Sequence, residues 1–308
     1  MSSNNKQFKL VLVLSGILVL LGTITLSTPA LWNRTSLHKS DPRHFVAPKQ
    51  THTPALTQIP ITTSRSLHAP VLGYPLFNGN THLPEIALTF DDGPNPYYSP
   101  QILAILQHYG VKATFFDVGY LVADYPNTVR QEYNQGNIVG NHSWSHPEMT
   151  LLSAQAILSQ LTSTTRAIQA VIGVRPTFFR PPYGALNSIV LAQAKYLGYT
   201  TVMWDGSAED WIVPGVSVIA NRILSYAHNG AILLLHDGGG NRAQTVAALP
   251  IIITTLKNRG FKFVTIQQLV DDLVAPSSQS ANSNAQDSTT VSPVAATVSI
   301  AWRRKIFS

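Results

Sequence analysis

Two adjacent carboxylates, Asp91 and Asp92, close an apolar run (Ile86, Ala87, Leu88, Phe90) within Thr89-Phe90-Asp91-Asp92-Gly93-Pro94. The pattern predicts a buried strand broken by Gly93 and Pro94, with both acids displayed at its C-terminal tip. Neighbouring side chains leave a strand end in different directions. One acid can therefore hold a metal while the other moves protons. Alone, the pair reads equally well as a solvated turn, but four more clusters share its setting. In His142-Ser143-Trp144-Ser145-His146-Pro147 two imidazoles stand at i and i+4. Stacked on one helical face, or meeting across a tight loop, they can grip one ion. Asp92, His142 and His146 would make a carboxylate-plus-two-imidazole set, suited to Zn²⁺ or another divalent transition ion. In Arg180-Pro181-Pro182-Tyr183-Gly184 two prolines fix the backbone. The next donor along, Tyr183 N–H, is of the kind a developing oxyanion needs. Arg180 could pair with a carboxylate. Trp204 to Trp211 is a fourth polar cluster, and His236 at the end of Leu233-Leu234-Leu235 opens a fifth.

The elements that must carry these clusters alternate. Strand-like runs are expected near residues 86–90, 113–118, 138–140, 177–179, 200–204, 231–235 and 262–265. Helical periodicity is expected between them, near 99–109, 127–135, 153–171, 188–197, 216–227 and 245–257, with Gly110, Gly136, Gly173, Gly198 and Gly230 as stops. Repeated β-then-α units imply a parallel sheet covered by helices, either a barrel or a doubly wound fold. Each polar cluster follows a strand, and the C-terminal edge of such a sheet is where sites are built.

The chain has 308 residues and no cysteine. That excludes a disulfide framework and a thiolate metal site, so any metal must be held by His and carboxylate. The net charge is +6, but residues 84–272 hold 11 Lys+Arg against 13 Asp+Glu, and the flanks hold the excess of base. A mildly acidic folded part argues against nucleic acid as a partner. Residues 10–26 form a 17-residue uncharged apolar run behind Lys6 and Lys9. Residues 1–28 are therefore expected to be a signal peptide or membrane anchor that places the rest outside the cytoplasm. Residues 29–83, rich in Pro, Thr and Ser, are expected to be a linker and lead-in segment. Residues 84–272 are expected to form the catalytic domain, and residues 273–308 a disordered tail.

The chain resembles the polysaccharide deacetylases with a NodB-homology domain (carbohydrate esterase family 4) over about residues 84–272. T-F-D-D-G-P, H-S-x-x-H-P, R-P-P-Y-G and L-L-L-H-D stand in that order. The resemblance implies an α/β fold, a distorted (β/α) barrel with fewer than eight regular strands. It implies a metal at Asp92, His142 and His146, usually Zn²⁺, with Co²⁺ or Ni²⁺ as alternatives. Asp91 would be the general base and His236 the general acid. Arg180 would orient Asp91, Asp210 would support His236, and Tyr183 N–H would help hold the oxyanion. Trp211 and Leu234 would line the acetyl pocket. The implied substrate is an extracytoplasmic polysaccharide of N-acetylglucosamine-type residues. The alternative is a catalytically silent carbohydrate-binding module on the same scaffold. One motif departs: where the family commonly has D-x-x-D-W, this chain has Ser207 in place of the first Asp.

Overall fold

The computed structural model describes residues 71–275. The apolar segment expected at residues 1–28, most of the linker and the tail beyond residue 275 lie outside the described residues. Among the described residues no helix is long and apolar enough to cross a membrane.

Eight strands form one parallel sheet. They are β1 (Glu85–Gly93), β2 (Thr114–Asp117), β3 (Ile138–Asn141), β4 (Phe178–Phe179), β5 (Thr200–Thr201), β6 (Gly206–Ser207), β7 (Ala231–His236) and β8 (Lys262–Phe263). The spatial order is β5-β4-β3-β2-β1-β7-β6, with β8 pairing the first residues of β1. Among the described residues β5 and β6 share no ladder, so the curled sheet is open between them. Among the described residues eight α-helices connect or flank the strands: α1 (Tyr98–Tyr109), α2 (Gly119–Asp124), α3 (Pro126–Asn134), α4 (Ala154–Ile172), α5 (Ser188–Tyr196), α6 (Val216–Ser225), α7 (Ala243–Asn258) and α8 (Ile266–Val274).

The central strands, β1 and β7, are buried on both faces, which is why their sequences run apolar without alternation. Ile86, Leu88 and Phe90 pack outward with residues of α1, α6 and α7 such as Leu103, Ile219 and Leu249. Ala87 points the other way, into an inner cluster with Phe116, Phe178, Val202 and Ile232. α8 contributes Ile266, Leu269 and Val270 to that inner cluster. Helix α4 is the best marked in sequence. Ser153 Oγ accepts a hydrogen bond from Ala156 N–H at its start, and left-handed Gly173 ends it.

Three features differ from the sequence expectation. The strand expected at 200–204 stops at Thr201, because the Val202 and Met203 carbonyls accept instead from the Arg180 guanidinium. The fourth polar cluster consequently belongs to another strand: Asp210 and Trp211 follow the two-residue β6. Helices α2 and α8, with no expected counterpart, complete the layer.

Register brings the clusters to one level. Asp91 pairs with His236 on β7 and with Phe116 on β2. Asp117 pairs with Asn141, and Asn141 with Phe179. His142 and Arg180 are the next residues on their chains, so five strand ends face one cavity.

Candidate active site and metal centre

The two acids of β1 separate because the strand bulges between them. The β1–β2 register slips between Asp91 and Gly93, and Asp92 adopts a left-handed conformation (φ 69°). Asp91 stays in the sheet and meets the guanidinium, whose Nη1–H donates to Asp91 Oδ1 at 2.7 Å and to Thr89 Oγ1 at 2.7 Å. Arg180 is fully buried and stacks over the Phe116 ring at 4.3 Å. Asp92 is turned towards the imidazoles instead. Its Oδ1 lies 3.0 Å from His146 Nε2 and 3.5 Å from His142 Nε2.

The two histidines meet across a loop, not on a helix. Ser143 and His146 are both left-handed (φ 66° and 57°), and His146 N–H donates to Ser143 Oγ at 3.0 Å. His142 Nδ1 sits 2.8 Å from the Arg180 carbonyl. A carbonyl can only accept, so Nδ1 carries the proton and the Nε2 lone pair faces Asp92. One donor atom from each of Asp92, His142 and His146 lies within 4.8 Å of the others, the only such group of three among the described residues. Asp92 Oδ1 is buried and has no hydrogen-bond donor. An orphaned carboxylate oxygen between two imidazole nitrogens is the donor set a divalent ion needs, and these residues fit one.

His236 is built differently. Its Nδ1 lies 2.7 Å from Asp210 Oδ1, and its backbone N–H donates to Asp210 Oδ2 at 2.9 Å. Thr245 Oγ1 donates to the same Oδ2 at 2.8 Å. Burial works against the His236 cation, but the Asp210 bond and charge, with Asp91 and Asp92 nearby, raise its pKa above the ordinary value. Burial would raise Asp210 too, yet the bonds from His236 and Thr245 hold its carboxyl below the usual range. Burial would raise Asp92, yet the His142 and His146 rings beside it, with charge at His142 and His236, hold its carboxyl far below that range. His142 is raised: burial lowers it, and Asp91 and Asp92 more than compensate.

The cavity among these groups measures about 420 Å³ and is lined also by Tyr183, Trp204, Trp211, Leu234, Gly239 and Arg242. All ten site residues expected from the sequence converge here or stand directly behind the cavity wall. Tyr183 (φ 60°) is 70% exposed, and its ring meets the His146 ring edge-on at 4.6 Å. The turn's backbone bonds run from Gly184 and Ala185, and among the described residues Tyr183 N–H has no acceptor. Trp211, 47% exposed, meets His236 edge-on at 5.4 Å. Ser207, the departure in the fourth motif, accepts from Glu209 N–H at 3.2 Å through its hydroxyl. Among the described residues six non-glycine residues are left-handed, namely Asp92, Ser143, His146, Tyr183, Glu209 and Val213. All lie at or just beyond the ends of β1, β3, β4 and β6.

Sequence reasoning missed three buried acids beneath the tip. Asp117, Glu132 and Asp237 are fully buried. Asp237 Oδ2 accepts from Ser99 Oγ, but Asp237 Oδ1 and all four oxygens of Asp117 and Glu132 lack a donor when ionised. Burial raises Asp117 to about 7 and, with the Asp117 and Asp237 charges, lifts Glu132 well above its ordinary value. The raised pKa of Glu132 favours its protonated form, with the Asp117 carboxyl as its neighbour. Gly238, Gly239 and Gly240 fell within the fifth cluster without a role, and Arg242, two residues further on, was missed. The signals for the acids were a charge in the apolar stretch Thr114-Phe115-Phe116-Asp117 and, for Asp237, its place after His236 in L-L-L-H-D; nothing marked Glu132.

Comparisons with known proteins agree on one group. The sequence profile for polysaccharide deacetylase matches residues 78–202. A peptidoglycan-N-acetylglucosamine deacetylase of Bacillus cereus is 41% identical over 187 residues, covering 60% of this chain and 87% of its own. The peptidoglycan-N-acetylmuramic acid deacetylase PdaC of Bacillus subtilis is 42% identical over 184 residues, which is 60% of this chain but 38% of that longer protein. A crystal structure of a peptidoglycan N-acetylglucosamine deacetylase, solved with a naphthalenyl N-hydroxybenzamide, superposes with a TM-score of 0.62 at 35% identity, covering 63% of this chain and 91% of the other.

Raised carboxyl pKa values make stability depend on pH. Between the unfolded values (3.8 for Asp, 4.5 for Glu) and the folded ones, the folded chain binds more protons than the unfolded chain. Stability is then highest below about pH 4 for these groups and falls as pH rises through about 7. Glu132→Gln removes one of these acids and gives Asp117 a permanent donor. The variant is expected to melt a few degrees above wild type at pH 8 and level with it at pH 4.5. Parallel melting curves across that range, measured by circular dichroism, would overturn the assignment.

Proposed function

The chain belongs to the polysaccharide deacetylase family, and from that premise we propose that it hydrolyses N-acetyl groups from N-acetylglucosamine-type residues of an extracytoplasmic polysaccharide, releasing acetate. One observation carries the reading. A three-ligand metal set, an Arg180-paired carboxylate and an Asp210-paired imidazole share one cavity with room for an acetamido group. Peptidoglycan is the favoured polymer, because the relative that is 41% identical over 87% of its length is a peptidoglycan deacetylase by name; two chitooligosaccharide deacetylases, 39% and 36% identical, match over 90% of theirs. The apolar N-terminal segment would deliver the domain to that side of the membrane, cleaved or as an anchor.

Asp92, His142 and His146 would hold a divalent ion, Zn²⁺ first among the choices, with Co²⁺ or Ni²⁺ also suited to the donor set. Such an ion supplies Lewis acidity, easing both the deprotonation of water and the growth of charge on the acetyl oxygen. Everything else falls to the chain's own groups. Asp91 acts as general base: Arg180 occupies Oδ1, so Oδ2 takes the proton of the attacking water. The new C–O bond forms as the carbonyl oxygen gains charge, and Tyr183 N–H donates to it. His236 keeps its Nδ1 proton on Asp210 and delivers the Nε2 proton to the departing nitrogen as the C–N bond breaks. Trp211 and Leu234 exclude water from the side that receives the methyl group. The products are acetate and a free amine on the sugar.

Metal content and acetate release, measured on the full chain with N-acetylglucosamine oligomers and with peptidoglycan, test the reading. Near-stoichiometric metal and chelator-sensitive acetate release are expected. Asp91→Asn should keep the metal and lose about 10²–10⁴-fold in kcat. Saturable glycan binding with no acetate at any metal loading would replace the enzyme with a silent binder.

The paired imidazole also sets a pH profile. His236 must be protonated to act, so turnover falls as pH rises through its raised pKa. Asp210→Asn removes the bond and the charge that raise it. The alkaline limb of kcat/KM should move to lower pH, with kcat reduced. An unmoved limb would show that His236 is not the titrating acid.

A further inference from the structure

Arg242 lines the same cavity, but no part of the chemistry above uses it. It is only 2% exposed. Among the described residues no carboxylate lies within ion-pair distance of it. Its donors go to backbone carbonyls instead: Nε–H to Gly238 at 2.7 Å, Nη2–H to Gly239 at 3.0 Å and Nη1–H to Asn241 at 3.2 Å. A buried cation satisfied only by peptide oxygens is costly to keep. What it holds is the run Gly238-Gly239-Gly240, the most conformationally free sequence a chain can offer.

That run lies directly against Asp92. A Cβ at Gly238 would fall inside the Asp92 carbonyl, and one at Gly239 (φ 69°) would collide with Asp92 Oδ2. From the other side, Asp237 N–H and Gly238 N–H both donate to the Asp91 carbonyl, at 3.2 and 3.4 Å. The loop is thus pinned to β1 by its amides and to Arg242 by its carbonyls. Between those anchors it forms the wall behind the one Asp92 oxygen that does not face the imidazoles. Asp92 itself sits on a bulge in a left-handed conformation, and no hydrogen bond to its orphaned Oδ1 holds the carboxylate in place.

We propose that Arg242 is a positioning residue that clamps the Gly238–Gly240 loop against Asp92, so that the Asp92 carboxylate is presented to His142 and His146 in a geometry ready for a divalent ion. The proposal rests on the metal site put forward above. The clamp depends on the forked shape of the guanidinium, which reaches three carbonyls at once, and not on charge alone.

Cobalt(II) titration of the metal-free full chain, followed by visible absorption, tests it at a temperature well below melting. Arg242→Met and Arg242→Lys should each weaken cobalt binding by about 10–100-fold and shift the ligand-field bands. Gly239→Ala reaches the same carboxylate by direct collision and should do likewise with Arg242 intact. If Arg242→Lys binds cobalt as tightly as wild type, or if all three variants lose only melting temperature while affinity and spectrum stay unchanged, the clamp is overturned. If wild type takes up no cobalt, or His142→Ala titrates like wild type, the metal site itself fails and takes the proposal with it. The pattern across wild type, His142→Ala and the three variants separates these failures.

Discussion

A guanidinium sealed from water must find all its partners inside the protein, and Arg180 finds them on β1 and in the segment that follows β5. Its side chain joins Asp91 on β1 to the carbonyls that follow β5, while its own carbonyl, at the end of β4, receives the His142 ring. A buried ion pair of this kind seldom adds net stability, because desolvation offsets the attraction, but breaking one half of it is severe. Its value here is geometric. One residue fixes the orientation of a carboxylate and, through a different atom, the tautomer of an imidazole. The short β5 is in keeping with this, since the Val202 and Met203 carbonyls just beyond it serve the guanidinium.

The two buried histidines, similar in sequence context, are separated chemically by what sits behind each ring. His142 leans on a neutral carbonyl, which fixes its tautomer without adding a negative charge of its own. His236 leans on Asp210, a carboxylate that Thr245 and a backbone amide hold in its charged form. The first arrangement suits a neutral donor of a lone pair. The second suits a ring that carries a proton and gives it up. The bulge at Asp92 makes a similar division between two acids that are adjacent in sequence.

The parts of this site visible in the sequence are those where residue type and strand punctuation coincide. Asp91-Asp92, His142 and His236 each end an apolar run, and the α4 boundaries were written in Ser153 and Gly173. What was hidden depended on length or on distant contacts. β6 has two residues, too few for any periodicity, so Asp210 was credited to the preceding strand. α8 carries charges at Asp271 and Asp272 that masked its buried face. Glu132 sits in a polar stretch, and nothing local says that its side chain turns inward to meet Asp117. Arg242 stands two residues beyond three glycines, and only the fold shows what their carbonyls and hydrogens face.

The left-handed residues around the cavity bear on how this protein can change. Each non-glycine residue in that conformation carries a strain of order 1 kcal/mol, and all six among the described residues sit on the β1 bulge or in the loops of the same edge. Substitutions that relax those positions would be read by a stability screen as improvements, although they would loosen the machinery. A search for hardier variants that counts only melting temperature would therefore drift towards this edge and erode it. The gains worth keeping lie on the outer helices, where a better cap or surface pair alters no residue of the cavity.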